Sequence, residues 1–350
     1  MYDAIQAQPQ AFASVVKHVA GDAERIAARM AGAQRIFLIG IGTSLHAAQA
    51  AYHLLQHYHL STPVQVMQAF DLALYGPALS AEDCVVLISH RGTKRYGLAA
   101  IQRAREAGCY TVLITGEGEP ESAHYADDVI KTVAQDRSSA HTVSYIGAQA
   151  ALAVLAAACG RRQGEPVQST FLEEEIPAIM RACLHTEEQV RALAQERRQH
   201  RRIWLVGGGP SSITAQEIAL KIKETSYLQA EGMTVETMLH GPFQCVEPQD
   251  LFVLIAPAGP AQERMGELAA MVQAVGAPYV LVDDGSAAAL RQQAVAVISV
   301  PPVAEAFTTV TGVIPLQLWS YYLALACGTN PDGFRLEDPR FARAYQLAPL

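Results

Sequence analysis

Three ionisable residues share one short segment, ALKIKETSYLQAEGMTVETMLHGP at residues 219–242: Lys221, Glu224 and His240. Lys221 and Glu224 are three apart, so on a helix they share a face and set each other's charge state. A carboxylate so placed serves as a general base beside a carbonyl, and an imidazole moves a proton on or off a sugar oxygen. The same spacing also describes a surface ion pair with a histidine closing the helix, and residue types alone leave both readings open. His53, His57 and His59 form a second candidate group, the first two one helical turn apart. No cysteine or acidic residue stands close in sequence to complete a site there, so a polar helix end is the reading and no metal is expected.

The elements that must hold these residues follow from composition and pattern. At 350 residues, half of them hydrophobic, the chain is long enough for two domains with a large core. Apolar runs at 35–40, 63–67, 84–89, 110–115 and 128–133 alternate with helical patterns at 43–58, 94–107 and 143–158. A second series has runs at 202–207, 251–256, 279–283 and 295–300, with helices near 212–229, 260–275 and 308–326. Continuous β-branched runs indicate strands covered on both faces, hence an α/β fold of doubly wound parallel sheets. A charged helical segment at 171–200 joins the halves, and the tail from Pro331 shows no periodic pattern.

The halves are copies of one another. IFLIGIGTS at 36–44 matches IWLVGGGPS at 203–211, and ISHRG at 88–92 matches IAPAG at 255–259, both at an offset of 167. GCYTVLI at 108–114 matches GAPYVLV at 276–282 at 168. Near-constant spacing of three matches means a duplicated domain, and the two copies are expected to share one strand order with five strands each.

Other classes are excluded by the remaining features. The net charge of −8 and the absence of basic stretches with interleaved aromatics argue against a nucleic-acid partner. No apolar run reaches a membrane span, the Ala-rich stretch 146–159 being too short, and the opening MYDAIQAQPQ has no signal-peptide pattern. A cytoplasmic protein is the expectation. Six cysteines without CxxC spacing read as reduced, mostly buried side chains. In doubly wound sheets ligands sit beyond the carboxyl ends of the strands, which places residues 42–44, 89–94 and 207–212 at the mouth. Short polar side chains at helix starts suit a phosphate. A dinucleotide is disfavoured, since Leu45 stands where a third glycine belongs and no acidic residue follows the second strand at Met67-Gln68.

With the duplication, the strand-end loops and the Lys/Glu/His segment together, the chain resembles the double sugar isomerase (SIS) domain family. Within it, the chain is similar to the isomerase half of glutamine–fructose-6-phosphate aminotransferase, from about residue 25 to the C-terminus. The resemblance is strongest at ALKIKETSY…AE…HGP. It implies a helical segment at 1–24, a first flavodoxin-like αβα SIS domain at 25–165, a connection at 166–200, a second SIS domain at 201–330 and a tail at 331–350 near the active site. It also implies no cofactor and no metal. There is no glutaminase domain in the sequence, so glutamine is not expected as the nitrogen donor.

Carried over residue by residue, the family's enolising Glu falls on Glu224, its neighbouring Lys on Lys221, and its ring-opening His on His240, which the family supplies from the partner subunit of a homodimer. The resemblance places the phosphate at Thr43 and Ser44 and at a loop beginning with Ser89. There His90, Arg91 and Lys94 replace Gln, Ser and Thr, Gly92 is kept, and Thr93 sits one place early. Ala140, Thr142 and Gln149 align with sugar-facing positions, and Arg137 stands where the family has Glu. In the tail, Ala344 occupies the position of the family's Schiff-base Lys; Arg343, beside it, remains a candidate contact but cannot form an imine. The implied function is a phosphosugar isomerase, in particular an aldose/ketose isomerase-deaminase acting on an amino sugar phosphate. A sugar-phosphate–amine deglycase and a non-catalytic phosphosugar sensor are the alternatives.

Overall fold

Strands form where β-branched and aromatic residues run without polar interruption, because both faces of a parallel sheet are roofed by helices. The structure, a computed structural model, describes residues 1–200 and 202–347; Arg201 and the last three residues of the expected tail lie outside them. The chain forms two compact units: one comprises Ala7–Arg137, His141–Pro177 and Leu336–Leu350, the other Met1–Gln6, Ser138–Ala140 and Ala178–Arg335.

The first unit holds β1 (Arg35–Gly40), β2 (Val64–Gln68), β3 (Asp83–Ile88), β4 (Tyr110–Thr115) and β5 (Asp128–Lys131). All pair in parallel in the order β2-β1-β3-β4-β5. Helices Gln8–Met30 and Thr43–His57 pack on Val143–Arg162. That last helix is longer than the apolar run suggested: at 20 residues it is long and apolar enough to cross a membrane, yet 94% of its apolar window is buried inside the fold. Its run of alanines lets neighbouring backbones approach closely, which is a core helix's use of such a sequence.

The second unit holds β6 (Arg202–Gly207), β7 (Gln229–Thr234), β8 (Leu251–Ile255), β9 (Tyr279–Asp283) and β10 (Ala296–Ser299). Its order, β7-β6-β8-β9-β10, repeats the first sheet strand for strand, as the duplication requires. The two copies share their first turn closely. A Cβ on Gly40 would stand 2.5 Å from the Ser44 carbonyl carbon, and one on Gly207 the same 2.5 Å from that of Ser211. Only glycine lets strand and helix approach so closely, at Ser44 and Ser211 alike.

Two elements depart from the pattern read in the sequence. β7 does not appear among the apolar runs, and the helix expected to reach 229 ends at Ser226 with Tyr227 left-handed at φ 60°. Arg335 stacks over the Tyr227 ring at 5.0 Å. The tail is not patternless: Pro339–Leu347 is helical, and Asp338 accepts a hydrogen bond from the Arg340 N–H at its start.

Candidate active site

The second unit builds a buried charge cluster on helix Pro210–Ser226. Lys221 is 1% exposed and its Nζ lies 2.7 Å from Glu224 Oε2 and 3.4 Å from Glu217 Oε1. Residues four before and three after a lysine flank it on one helical face, so the ammonium is bracketed by two carboxylates. Burial alone would lower its pKa, but Glu217 and Glu224 outweigh that cost and the pKa is raised. Lys221 is therefore a fixed cation. It cannot act as a proton carrier near neutral pH; it holds and orients Glu224, whose side chain is 20% exposed while that of Glu217 is fully buried. Glu217 escapes sequence reading, although its place four residues before Lys221 is the available signal.

His240 closes the short helix Val235–Leu239, which Thr234 caps by accepting from the Thr237 N–H. Its imidazole is 74% exposed, with Nε2 3.1 Å from Glu236 Oε2. Glu236 in turn is held by Arg264 at 2.6 Å, so a fixed acidic partner orients an otherwise open histidine.

In the first unit, Thr43 and Ser44 open helix Thr43–His57, and the loop 89–94 runs from β3 to helix Arg95–Glu106. Ser89 is buried. The His90 carbonyl accepts from the Gly116 N–H at 2.9 Å, from Thr115 Oγ1 and from Gln135 Nε2, which anchors the middle of the loop. Gly92 is buried and Arg91 and Thr93 are exposed. His90 is not the cation that its type suggests: burial and His141 lower its pKa to about 4. Lys94 is half-buried, and burial together with Arg91 lowers its pKa. Two like charges are thus held near one another.

The other expected contacts divide. Thr142 is fully buried at the start of helix Val143–Arg162, with Oγ1 lacking a hydrogen-bond partner, so it offers no face to solvent. Gln149 lies buried farther along the same helix. Ala140 belongs to the second unit, where its N–H donates to Ser138 Oγ at 3.2 Å and the Ser139 N–H donates to the Asp332 carbonyl. Arg343 is exposed on the tail helix.

The duplicate of the loop 89–94 is 256–261, and it has changed character. Its sequence APAGPA carries no polar side chain. The Glu305 carboxylate lies against it: a Cβ on Gly259 would stand 2.6 Å from Glu305 Oε1. Burial raises the pKa of Glu305.

Comparison with known proteins bears on the family and the fold. The sequence pattern described as "SIS domain" matches twice, at residues 29–159 and 197–327. Glutamine–fructose-6-phosphate aminotransferase [isomerizing] of Pyrococcus horikoshii is 30% identical over 328 residues, which is 93% of this chain and 54% of that protein. The chain therefore spans about half the length of the curated relative. The C-terminal domain of glucosamine-fructose-6-phosphate aminotransferase from Francisella tularensis superposes with a TM-score of 0.86 at 21% identity, covering 95% of this chain and 98% of that one. Glucosamine-6-phosphate deaminase from Thermotoga maritima superposes with a TM-score of 0.78 at 19% identity, covering 95% and 96%. With one matching segment in each half and one strand order in both, the chain belongs to the SIS domain family, as two tandem copies homologous to the isomerase region of glutamine–fructose-6-phosphate aminotransferase.

Proposed function

We propose that the protein is a phosphosugar isomerase of the aldose/ketose type, acting as an isomerase-deaminase on an amino sugar phosphate. The observation that carries this reading is the partly exposed Glu224 carboxylate held at 2.7 Å by a buried, permanently charged Lys221. His240 opens the sugar ring by protonating the ring oxygen and taking the proton of the anomeric hydroxyl. Glu224 then removes the proton from C2 of the open 2-amino aldose and returns it to C1, giving the 2-imino ketose. Water adds at C2, ammonia leaves, and the ketose phosphate remains. The Lys221 ammonium holds the Glu224 carboxylate in place and favours negative charge developing on the enaminol oxygen. Names of the similar proteins support the substrate class, since they include an isomerising aminotransferase and a glucosamine-6-phosphate deaminase.

The test is proton exchange. With glucosamine 6-phosphate or fructose 6-phosphate in deuterated water, the wild type should wash deuterium into C1 or C2. Glu224→Gln should slow this by about a hundredfold to ten-thousandfold, the usual contribution of a positioned base, while binding persists. Binding without exchange in the wild type would instead identify a phosphosugar sensor, a reading that Ala344 in place of the imine-forming lysine favours.

A further inference from the structure

Above the C-terminal end of β4 lies a group of side chains for which the proton shuttle has no use. His90 follows β3, Asp136 and His141 follow β5, and those two strands flank β4. Backbone bonds fix the meeting of the loops, from the Gly116 N–H to the His90 carbonyl and from the Glu117 N–H to that of Val133. One ligand-type atom from each of His90, Asp136 and His141 lies within 4.8 Å of the other two. His141 Nδ1 and Asp136 Oδ2 stand 3.4 Å apart. That separation is already the edge of a tetrahedron with metal bonds of about 2.1 Å.

A second observation concerns hydrogen bonding. His90 Nε2, Asp136 Oδ1 and His141 Nδ1 are all buried and all lack a hydrogen-bond partner. Buried polar atoms are rarely left so, and three in one place call for a common partner that accepts lone pairs. The opposite sides of these groups are held. Asp136 Oδ2 accepts from Ser144 Oγ at 2.6 Å and from the Ser144 N–H at 3.2 Å. The Ala134 backbone hydrogen-bonds the His90 ring; with Nε2 unpaired, the donor is Nδ1–H and Nε2 presents its lone pair. An outer carbonyl that fixes the tautomer in this way is the usual support of a metal-binding histidine. The ring abuts Gly116, where a Cβ would come within 2.5 Å of His90 Cε1.

We propose that His90, Asp136 and His141 bind one divalent transition metal of the zinc class, through two imidazole nitrogens and one carboxylate oxygen, with a fourth position open. Two nitrogen donors exclude magnesium and calcium, which take oxygen ligands. The three histidines at 53, 57 and 59 do not form such a group; among the described residues this one does. The proposal does not depend on the isomerase reading, because its test reads metal rather than turnover.

Protein stripped with a strong chelator, in a Cys245→Ser background that removes the exposed thiol, is titrated with Zn2+ and separately with Co2+. The expected result is one ion per chain, a raised melting temperature, and the visible absorption of tetrahedral Co2+. His90→Gln, which installs the amide found at this position in the family, and His141→Asn should each weaken Zn2+ binding by about a hundredfold or more, with the fold of the metal-free protein unchanged by circular dichroism. Failure of the stripped wild type to take up zinc would overturn the proposal. So would variants that bind zinc as the wild type does, since the ion would then lie elsewhere.

Discussion

A lysine with almost no exposed surface is tolerable only when its charge is matched on more than one side. Lys221 has Glu224 at 2.7 Å and Glu217 at 3.4 Å, and the second of these is the structural partner. Removing one member of a buried ionic group costs about 3–5 kcal/mol, because the charge left behind keeps its desolvation cost and loses its compensation. Lys221→Met should therefore lower unfolding stability by that amount in denaturant titrations. The double change Lys221→Met with Glu217→Gln should recover part of the loss, since no buried carboxylate is then stranded. Equal stability of Lys221→Met and the wild type would show that water screens the cluster, and the case for a rigidly oriented Glu224 would fall with it.

At the scale of elements, the loop 89–94 is where the resemblance read in the sequence gives way to cationic residues, Arg91 and Lys94. Burial, and then the neighbouring Arg91 cation, lower the pKa of Lys94, so two like charges face one another there. A dianionic phosphate would relieve that repulsion. Arg91→Ser together with Lys94→Thr should weaken binding of a sugar phosphate by about tenfold to a hundredfold, the worth of one charged hydrogen bond, as measured by calorimetry. The loss should fall on KM more than on kcat, and wild-type affinity should decline with added salt. Unchanged affinity in the double variant would make these cations part of the solvated surface. Much of this architecture is legible in the sequence because strand stretches such as 36–40 and 251–255 are apolar throughout. β7 is not legible: it is an edge strand whose Gln229, Glu231 and Gly232 carry no apolar period. The tail helix hides behind Pro331, Gly333 and Pro339, which read as breakers. Lys221, Glu224 and His240 announce themselves as one motif, whereas His90, Asp136 and His141 are united only by sheet order, which spacing along a chain does not display.

At the scale of the molecule, the exposed His240 points to assembly. A side chain 74% exposed, oriented by Glu236 and lying in the segment that resembles a cross-subunit catalytic histidine, is the ground on which we propose that it serves another copy of the chain. A homodimer is expected by light scattering. Glu224→Gln and His240→Ala proteins, each inactive alone, should regain part of their activity when mixed under conditions that let subunits exchange. No recovery from a verified mixed dimer would place both residues in the same subunit's site. The duplication itself carries a last consequence, through the carboxylate of Glu305 against Gly259. Two tandem copies begin as interchangeable parts, each with one loop after its third strand, 89–94 in the first and 256–261 in the second. The first of these loops carries Arg91 and Lys94, while the second is apolar and has the tethered carboxylate of Glu305 against it, a charge that would repel an anion. The ancestral two-fold redundancy is thereby broken in charge: one strand order is kept in both halves, with opposite signs at the equivalent loop.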